Sequence, residues 1–292
     1  MKLLDSCANT MAFAGLFARP RKNRARQVYE LLSTRNNLAE SSLYLNLGYW
    51  DGAQGYDEAC QALAHLLGKA AGLNPSDEVL DAGFGFGDQD LYWMAQFSPK
   101  HIVGLNITPS HVELARNRVQ ERGLEDRIDL RLGSATEIPC DPDTFDKVVS
   151  LEAAFHFDTR EAFFKEAFRV LRPGGRIALA DLIPMPGARQ DLATRVGDYL
   201  GRSFWQIPKA NAYDRKAYAE RLRAAGFGGV EVRSIRDQVF PSFVQYARRR
   251  LDEPEISRRF HFAVRTFWKA SVQDLSAWDG QDYVIATAEK PT

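Results

Sequence analysis

Short apolar runs alternate with amphipathic segments between residues 76 and 186 of the chain. The apolar runs predict five strands, at residues 78–83, 101–107, 127–135, 145–153 and 176–183. The segments between them have helical spacing, as at Val112, Ala115 and Val119, and end at helix-stop residues such as Gly123. Strands separated by helices imply right-handed crossovers, so the pattern predicts a Rossmann-like, doubly wound α/β sheet.

The pattern changes after Pro184, where aromatic-rich helical stretches separate two further predicted strands. These strands lie at residues 229–235 and 282–290, and we expect a sheet of about seven strands whose last strand is antiparallel. The helical stretches at about 188–225 and 240–278 are interpreted as insertions that cap the carboxyl edge of the sheet. Residues 1–45 are interpreted as a helical N-terminal arm, and residues 46–292 as one domain.

Charge and cysteine usage narrow the classes of partner and the cellular setting. Lys+Arg and Asp+Glu number 38 each in 292 residues, so no overall positive charge points to a nucleic acid partner. Cys7, Cys60 and Cys140 lie far apart in sequence and form no CxxC pair. The sequence therefore predicts neither a disulfide framework nor a metal site, and we interpret the setting as reducing and cytoplasmic.

The N-terminal stretch leaves two interpretations open. The apolar run MAFAGLF precedes the basic run RPRKNRAR, which is the reverse of the order in a signal peptide. One interpretation is a peripheral membrane anchor, with the apolar side chains in the bilayer surface and the arginines at anionic lipid. The other is a helix that packs on the body of the protein and has a solvated basic face. An arm of this length also allows exchange between the subunits of a homodimer.

The candidate nucleotide loop is VLDAGFGFGDQD, residues 79–90. Its glycines have GxGxG spacing instead of the GxGxxG of dinucleotide-binding loops, at Gly83, Gly85 and Gly87. Asp88 and Asp90, in the first turn of the following helix, would repel a pyrophosphate but not a ligand with an ammonium and a sulfonium. No GK[ST] motif lies nearby, which excludes a P-loop.

Together with RVLRPGGRIALADL after the fourth strand, this loop resembles the motifs of class I S-adenosylmethionine-dependent methyltransferases. The GYW of LYLNLGYWDG, upstream of the loop, is similar to the small-molecule branch with tocopherol, rebeccamycin-sugar and isoprenoid-diphosphate methyltransferases. The resemblance covers residues 44–186 well and the C-terminal part by topology only. It implies S-adenosylmethionine as the cofactor and a small molecule as the methyl acceptor.

The resemblance also implies the cofactor contacts, position by position. Asp81 would hold the methionyl ammonium through water, and the glycines of the loop would let the backbone approach the methionyl group. The remaining implied contacts are Tyr49 and Trp50, which would close over the cofactor, and Asn106, Ile107, Thr108, His111, Ser134 and Ala135 around the nucleoside. Asn106, His111 and Ser134 depart from the family, which has an acid, a glutamine and an acid there.

His156, in SLEAAFHFDTRE after the fourth strand, is the candidate general base. Methyl transfer is an in-line displacement that needs a base only where the acceptor must lose a proton, and a histidine suits that task at neutral pH. Asp181, at the tip of the next strand, is predicted to orient His156, as in the rebeccamycin-type sugar O-methyltransferases that it resembles. Glu152 is predicted to accept a hydrogen bond from the cofactor or to face a cationic substrate.

Aromatic residues are dense in the arm and the insertions, which predicts an apolar pocket that excludes water. Trp205 and Tyr213, in SFWQIPKANAYD, are predicted to flank its mouth. The leading hypothesis is methylation of a small, largely hydrophobic natural-product, isoprenoid or lipid-like acceptor at oxygen, with His156 as the base. C- or N-methylation without a strong base, and a non-methylating cofactor-binding protein or cyclase on the same fold, are the alternatives.

Overall fold

A computed structural model describes residues 36–186 and 207–292. Its strands are β1 (Glu78–Ala82), β2 (His101–Asn106), β3 (Ile128–Leu132), β4 (Phe145–Leu151), β5 (Leu171–Pro184), β6 (Gly228–Ser234) and β7 (Gln281–Glu289). They form one seven-stranded sheet in the order β3-β2-β1-β4-β5-β7-β6. The first five strands run parallel, and β7 runs antiparallel to both β5 and β6. The predicted doubly wound sheet with an antiparallel last strand is confirmed.

The helices are α1 (Tyr56–Ala71), α2 (Asp88–Phe97), α3 (Pro109–Gln120), α4 (Arg160–Val170), α5 (Arg215–Ala224), α6 (Arg236–Arg250), α7 (Pro254–Arg259) and α8 (Phe262–Ser271). Local sequence explains several of their ends. The side chain of Thr159 caps α4 by accepting from the amide of Ala162, and Asp214 caps α5 in the same way. Gly72 ends α1 in a left-handed conformation.

Alternate residues of the central strands face opposite cores, so both faces of the sheet are covered. Val79 of β1 belongs to the core beneath α1, α2, α3 and α6, whereas Leu80 belongs to the core beneath α4 and α5. Helix α5, the described end of the first predicted insertion, packs on β6 and α4. This part of the insertion therefore covers a face of the sheet instead of capping its carboxyl edge.

The described end of the predicted arm is not helical, which corrects the sequence prediction for residues 36–45. Side chains from elsewhere in the chain hold its backbone, because Asp57 accepts from the amides of Ser41 and Ser42 and Arg259 donates to the carbonyl of Asn37. The predicted membrane contact and subunit exchange concern residues 1–35, which lie outside the described residues, and both stay predictions. In the two described ranges, no helix has the length and apolar character needed to cross a bilayer.

Candidate active site

The loops after β1 and β4 meet at the carboxyl edge of the sheet, where the strand order reverses. This switch point is where ligands bind in open α/β sheets. Gly83 has φ 97°, and a Cβ there would lie 2.4 Å from the Cβ of Ala153 in the loop after β4. Gly85 also has a left-handed φ of 57°, and a Cβ there would lie 3.7 Å from the Cδ1 of Leu45. Glycine suits both positions, which shape a cradle for a ligand.

Two buried carboxylates lie beneath this glycine turn. Asp81 ends β1 and Asp90 lies in the first turn of α2, and both are fully buried. The amide of Gln89 donates to the Oδ2 of Asp81 at 3.1 Å. Burial raises the pKa of Asp81 to about 7, and burial together with Asp81 raises the pKa of Asp90. The predicted ammonium-binding residue is therefore one member of a carboxylate pair.

Asp88, the other acid that the sequence predicted to repel a pyrophosphate, does not share this environment. Its carboxylate forms a bidentate ion pair with Arg118 of α3, with N–O distances of 2.7 and 2.8 Å. It also accepts from the amide of Leu43. Because Arg118 already neutralises Asp88, the acidic character left beneath the turn belongs to Asp81 and Asp90.

The residues implied for the nucleoside cluster after β2 and β3. The side-chain amide of Asn106 donates to the carbonyl of Gly85 at 3.1 Å and accepts from the main-chain amide of Thr108 at 2.9 Å. The side chain of Asn106 therefore keeps one further donor and one further acceptor position. Ile107 is 44% exposed. Asn106 thus ties the β2 end to the glycine turn.

His111 and Thr108 are buried, whereas Ser134 is half-buried. The His111 ring packs on Phe86 of the glycine turn, with ring centroids 4.0 Å apart. The hydroxyl of Ser134 lies 2.9 Å from that of Thr136, and Ala135 is buried in the core. His111 thus supports the turn from below, and Ser134 is the more accessible polar group.

Residues 43–50, named the edge segment here, cross the carboxyl edge above these loops. The amide of Leu43 binds Asp88 of α2, and the amide of Leu47 binds the Oε2 of Glu152 after β4 at 2.8 Å. The tyrosine and tryptophan predicted to close over the cofactor lie at its end. The amide of Tyr49 binds the carbonyl of Ala59, and the indole of Trp50 donates to the carbonyl of Leu47.

The Trp50 ring also packs against the rings of Tyr56 and Tyr246, with centroids 6.4 and 5.4 Å away. Trp50 is therefore held in an aromatic cluster with α1 and α6. Its direct role is to anchor the edge segment, a role that the sequence did not predict.

Glu152 follows β4 with a left-handed φ of 54°, a conformation that is rare for a residue with a side chain and common at functional sites. Its Oε2 accepts from the hydroxyl of Tyr283 at 2.7 Å as well as from Leu47. Burial raises the pKa of Glu152 to about 8, although these two hydrogen bonds oppose the rise. The carboxyl group is consequently mostly protonated at neutral pH.

His156 ends a short 3₁₀ turn, Ala154–His156, beside the switch point. Its ring packs on that of Phe155, with centroids 3.9 Å apart. The side-chain amide of Asn211 donates to the carbonyls of Phe155 and Phe157, at 3.0 and 2.8 Å, on either side of His156. The turn that carries the predicted base is therefore fixed from outside by Asn211.

Asp181 takes part in this arrangement through Arg160. The Nε of Arg160 donates to the Oδ2 of Asp181 at 2.8 Å, and the same guanidinium donates to the carbonyls of Asn211 and Leu182. Tyr218 and the amide of Leu182 also donate to the Asp181 carboxylate. Asp181 thus orients Arg160 and, through Asn211, the turn of His156, while the direct orientation of the His156 ring by Asp181 stays a prediction.

The structure also corrects the position predicted for Tyr213. The ring is buried, and the guanidinium carbons of Arg160 and Arg221 lie 5.1 and 4.0 Å from its centroid. It belongs to the Arg160 network instead of an open mouth. Trp205, the other predicted substrate contact, lies outside the described residues.

Sequence reasoning missed Arg160, Asn211 and Tyr283. Arg160 carried a signal, because a cation in the first turn of a helix opposes the helix dipole and needs a nearby anion. Asn211 and Tyr283 carried none, since their partners are distant in sequence. In the described ranges, no three or more His, Cys, Asp or Glu side chains form a group that could hold a metal ion.

Comparisons with known proteins agree with the family resemblance of the sequence motifs. A family model described as "Methyltransferase domain" matches residues 80–179. Erythromycin 3''-O-methyltransferase of Saccharopolyspora erythraea is 41% identical over 285 residues, covering 92% of this chain and 90% of the relative. The 27-O-demethylrifamycin SV methyltransferase of Amycolatopsis mediterranei is 31% identical over 208 residues, covering 70% of this chain and 74% of the relative.

The solved structure of the [4+2]-cyclase SpnF has the same fold. Its TM-score with this chain is 0.76 at 24% identity, and the match covers 94% of this chain and 97% of that one.

Proposed function

Because this chain belongs to the class I S-adenosylmethionine-dependent methyltransferases that act on small molecules, we propose that it methylates an oxygen of a largely hydrophobic natural product. The cofactor, when bound, supplies a methyl group on a positively charged sulfur. The residues present fit this cofactor, because buried carboxylates at Asp81 and Asp90 suit an ammonium group and the glycine cradle admits a close backbone approach.

The position of His156 is the observation that carries the proposal. An alcohol acceptor must lose its proton as the oxygen attacks, and His156 lies at the switch point on a turn fixed by Asn211. In the proposed reaction a ring nitrogen of His156 accepts that proton. The name of the erythromycin relative, an O-methyltransferase, supports the choice of oxygen over carbon or nitrogen.

The state of Glu152 supports a neutral acceptor. A carboxyl group with a pKa of about 8 carries little negative charge at pH 7, so it does not attract a cationic amine strongly. It offers a hydrogen bond to a neutral hydroxyl instead. Leu45 of the edge segment, which is partly buried, lies with its Cδ1 3.7 Å from the Cβ position of Gly85 and supplies apolar surface beside the glycine turn, which suits a hydrophobic substrate.

The proposal is tested by incubating the protein with methyl-labelled cofactor and a panel of hydroxylated natural products. We expect an O-methyl ether, identified by mass spectrometry and NMR. His156→Ala should lower turnover by roughly 10²–10⁴-fold without changing the affinity for S-adenosylhomocysteine, because only the proton acceptor is removed.

His101→Ala is the matched control, since His101 lies at the start of β2, on the opposite edge of the sheet, and should leave turnover unchanged. A product methylated at carbon or nitrogen, a cyclised product without methyl transfer, or full turnover by the His156 variant would each contradict the proposal.

A further inference from the structure

The carboxylates of Asp81 and Asp90 form a fully buried pair of acids with few compensating partners among the described residues. Among the described residues, the Oδ1 of Asp81 and both carboxylate oxygens of Asp90 are buried without a hydrogen-bond partner. Gln89 supplies one neutral donor to Asp81. Buried polar atoms are normally satisfied, so such a cluster indicates a missing partner.

The surrounding elements do not supply that partner from the described residues. Asp88 of α2 is a further acid and is occupied by Arg118 of α3. Tyr44 of the edge segment donates its hydroxyl to the main-chain carbonyl of Asp88. Asp88 thus adds a further acid beside the pair, and its cationic partner Arg118 is bound to Asp88 instead of to the pair.

We propose that Asp81 and Asp90 share one proton in the free protein and release it when the methionyl ammonium of the cofactor binds. The inference rests on the proposed function through its cofactor. The O–H bond of the shared carboxylic acid breaks, the proton goes to the buffer, and two carboxylates face one ammonium. Asp90 is then a positioning residue for the cofactor, through Asp81.

The physical basis is the cost of two ionised carboxylates in a fully buried site. Like charges at short range cannot both ionise there, so one proton stays between them. An arriving ammonium offsets that repulsion and supplies hydrogen-bond donors to the unsatisfied oxygens. Cofactor affinity must therefore increase with pH over the range in which the free pair still holds its proton.

Calorimetric titration with S-adenosylhomocysteine in buffers of different ionisation enthalpy measures the released protons directly. We expect close to one proton released per bound ligand near neutral pH, and a dissociation constant that falls by up to roughly tenfold per pH unit between about pH 6 and pH 7.5. The comparison ligand is 5′-methylthioadenosine, which lacks the amino-acid portion and should bind without proton release.

Asp90→Asn should still bind S-adenosylhomocysteine but lose the proton release and most of the pH dependence. Asp129→Asn, which removes a partly exposed carboxylate on β3, is the matched control and should behave like the unaltered protein. Equal proton release by the Asp90 variant, or none by the unaltered protein, would overturn the proposal.

If Asp90→Asn does not fold, the two ligands compared on the unaltered protein still decide the question. Absence of any binding by S-adenosylhomocysteine would instead contradict the cofactor, and with it the proposed function.

Discussion

Two groups of buried carboxylates lie near the same edge of the sheet, and their surroundings are opposite. Asp181 is fully buried and accepts from Arg160, Tyr218 and the amide of Leu182. Asp81 and Asp90 are equally buried, yet their described surroundings contain one neutral amide donor and no cation facing them. The first group is complete within the protein, and the second is not.

The difference separates a structural charge from a ligand-binding one. A buried carboxylate with a guanidinium and further donors holds chain segments in place, as Asp181 does for Arg160 and the turn of His156. A buried pair without a cation costs free energy until something positive arrives. Both groups consist of buried aspartates, and they differ only in the hydrogen-bond donors and cations around their carboxylates.

Breaking the complete group should have the largest effect on stability. Arg160→Met leaves Asp181 as an uncompensated buried charge and should lower the free energy of unfolding by about 3–5 kcal/mol. Urea denaturation measures this change. Arg221→Met is the matched control, since Arg221 lies over the same Tyr213 ring but is partly exposed, and should cost less than about 1 kcal/mol. Similar losses of unfolding free energy in both variants would contradict a specific stabilising role for the buried Arg160–Asp181 pair.

Removing Asp88, the acid of α2 that is paired with Arg118, should have an intermediate effect. Asp88→Asn breaks a bidentate bond to Arg118 and should lower the free energy of unfolding by about 2 kcal/mol. Thermal unfolding compared with Glu121→Gln, an exposed acid beyond the end of α3, measures the specific part of the loss. A change no larger than that of the control would contradict the assigned ion pair.

Removing the uncompensated acid two residues away should have the opposite sign. Asp90→Asn removes the need to hold a proton between two buried carboxylates and should raise the free energy of unfolding of the ligand-free protein by about 1 kcal/mol at pH 7. A loss comparable to that of Asp88→Asn would show that Asp90 has a compensating partner.

The same pair should make stability depend on pH. The pKa of Asp81 is about 7 in the folded protein, against about 3.9 for an aspartate in an unfolded chain. The folded state therefore binds more protons between these values, so the free energy of unfolding falls as pH rises from about 4 to about 7. Asp90→Asn should flatten this fall, and unfolding measured across that pH range without ligand checks it.

Glu152 lies between the two extremes and should show the smallest effect. Tyr283→Phe removes one of its two neutral donors and should lower the free energy of unfolding by about 0.5–1 kcal/mol. It should also raise the pKa of Glu152 above its value of about 8, because the lost hydroxyl favoured the ionised form. A carbon-13 NMR titration of the carboxyl group measures the shift, and an unchanged or lower pKa would contradict this role of Tyr283.

The sheet was predictable because its signals are local. Apolar runs and helix caps lie within each element, and the predicted strand positions agree with the structure to within a few residues except at the start of β5. Residues 36–45 were predicted wrongly, since the side chains that hold their backbone, such as Asp57 and Asp88, come from other elements.

The part of the site that depends on local sequence was predictable for the same reason. The glycine turn and Asp81 follow from spacing along one strand and turn. Asp88 and Asp90 were separable in principle, because residues two apart on a helix point in different directions. The link from Asp181 to Arg160 and Asn211 was not, because it depends on which distant side chains the folded sheet brings together.

The edge segment is anchored partly by the side chains of Tyr44 and Trp50 and partly through its own main chain, by the amides of Leu43 and Leu47. Main-chain donors are the same whatever side chains stand at those positions. The partly buried Leu43 and Leu45 can therefore be exchanged for other residues over evolutionary time while the segment, with Leu47 buried in the core, stays in place across the site. A lineage could in this way change the acceptor that it methylates without rebuilding the scaffold that holds the cofactor.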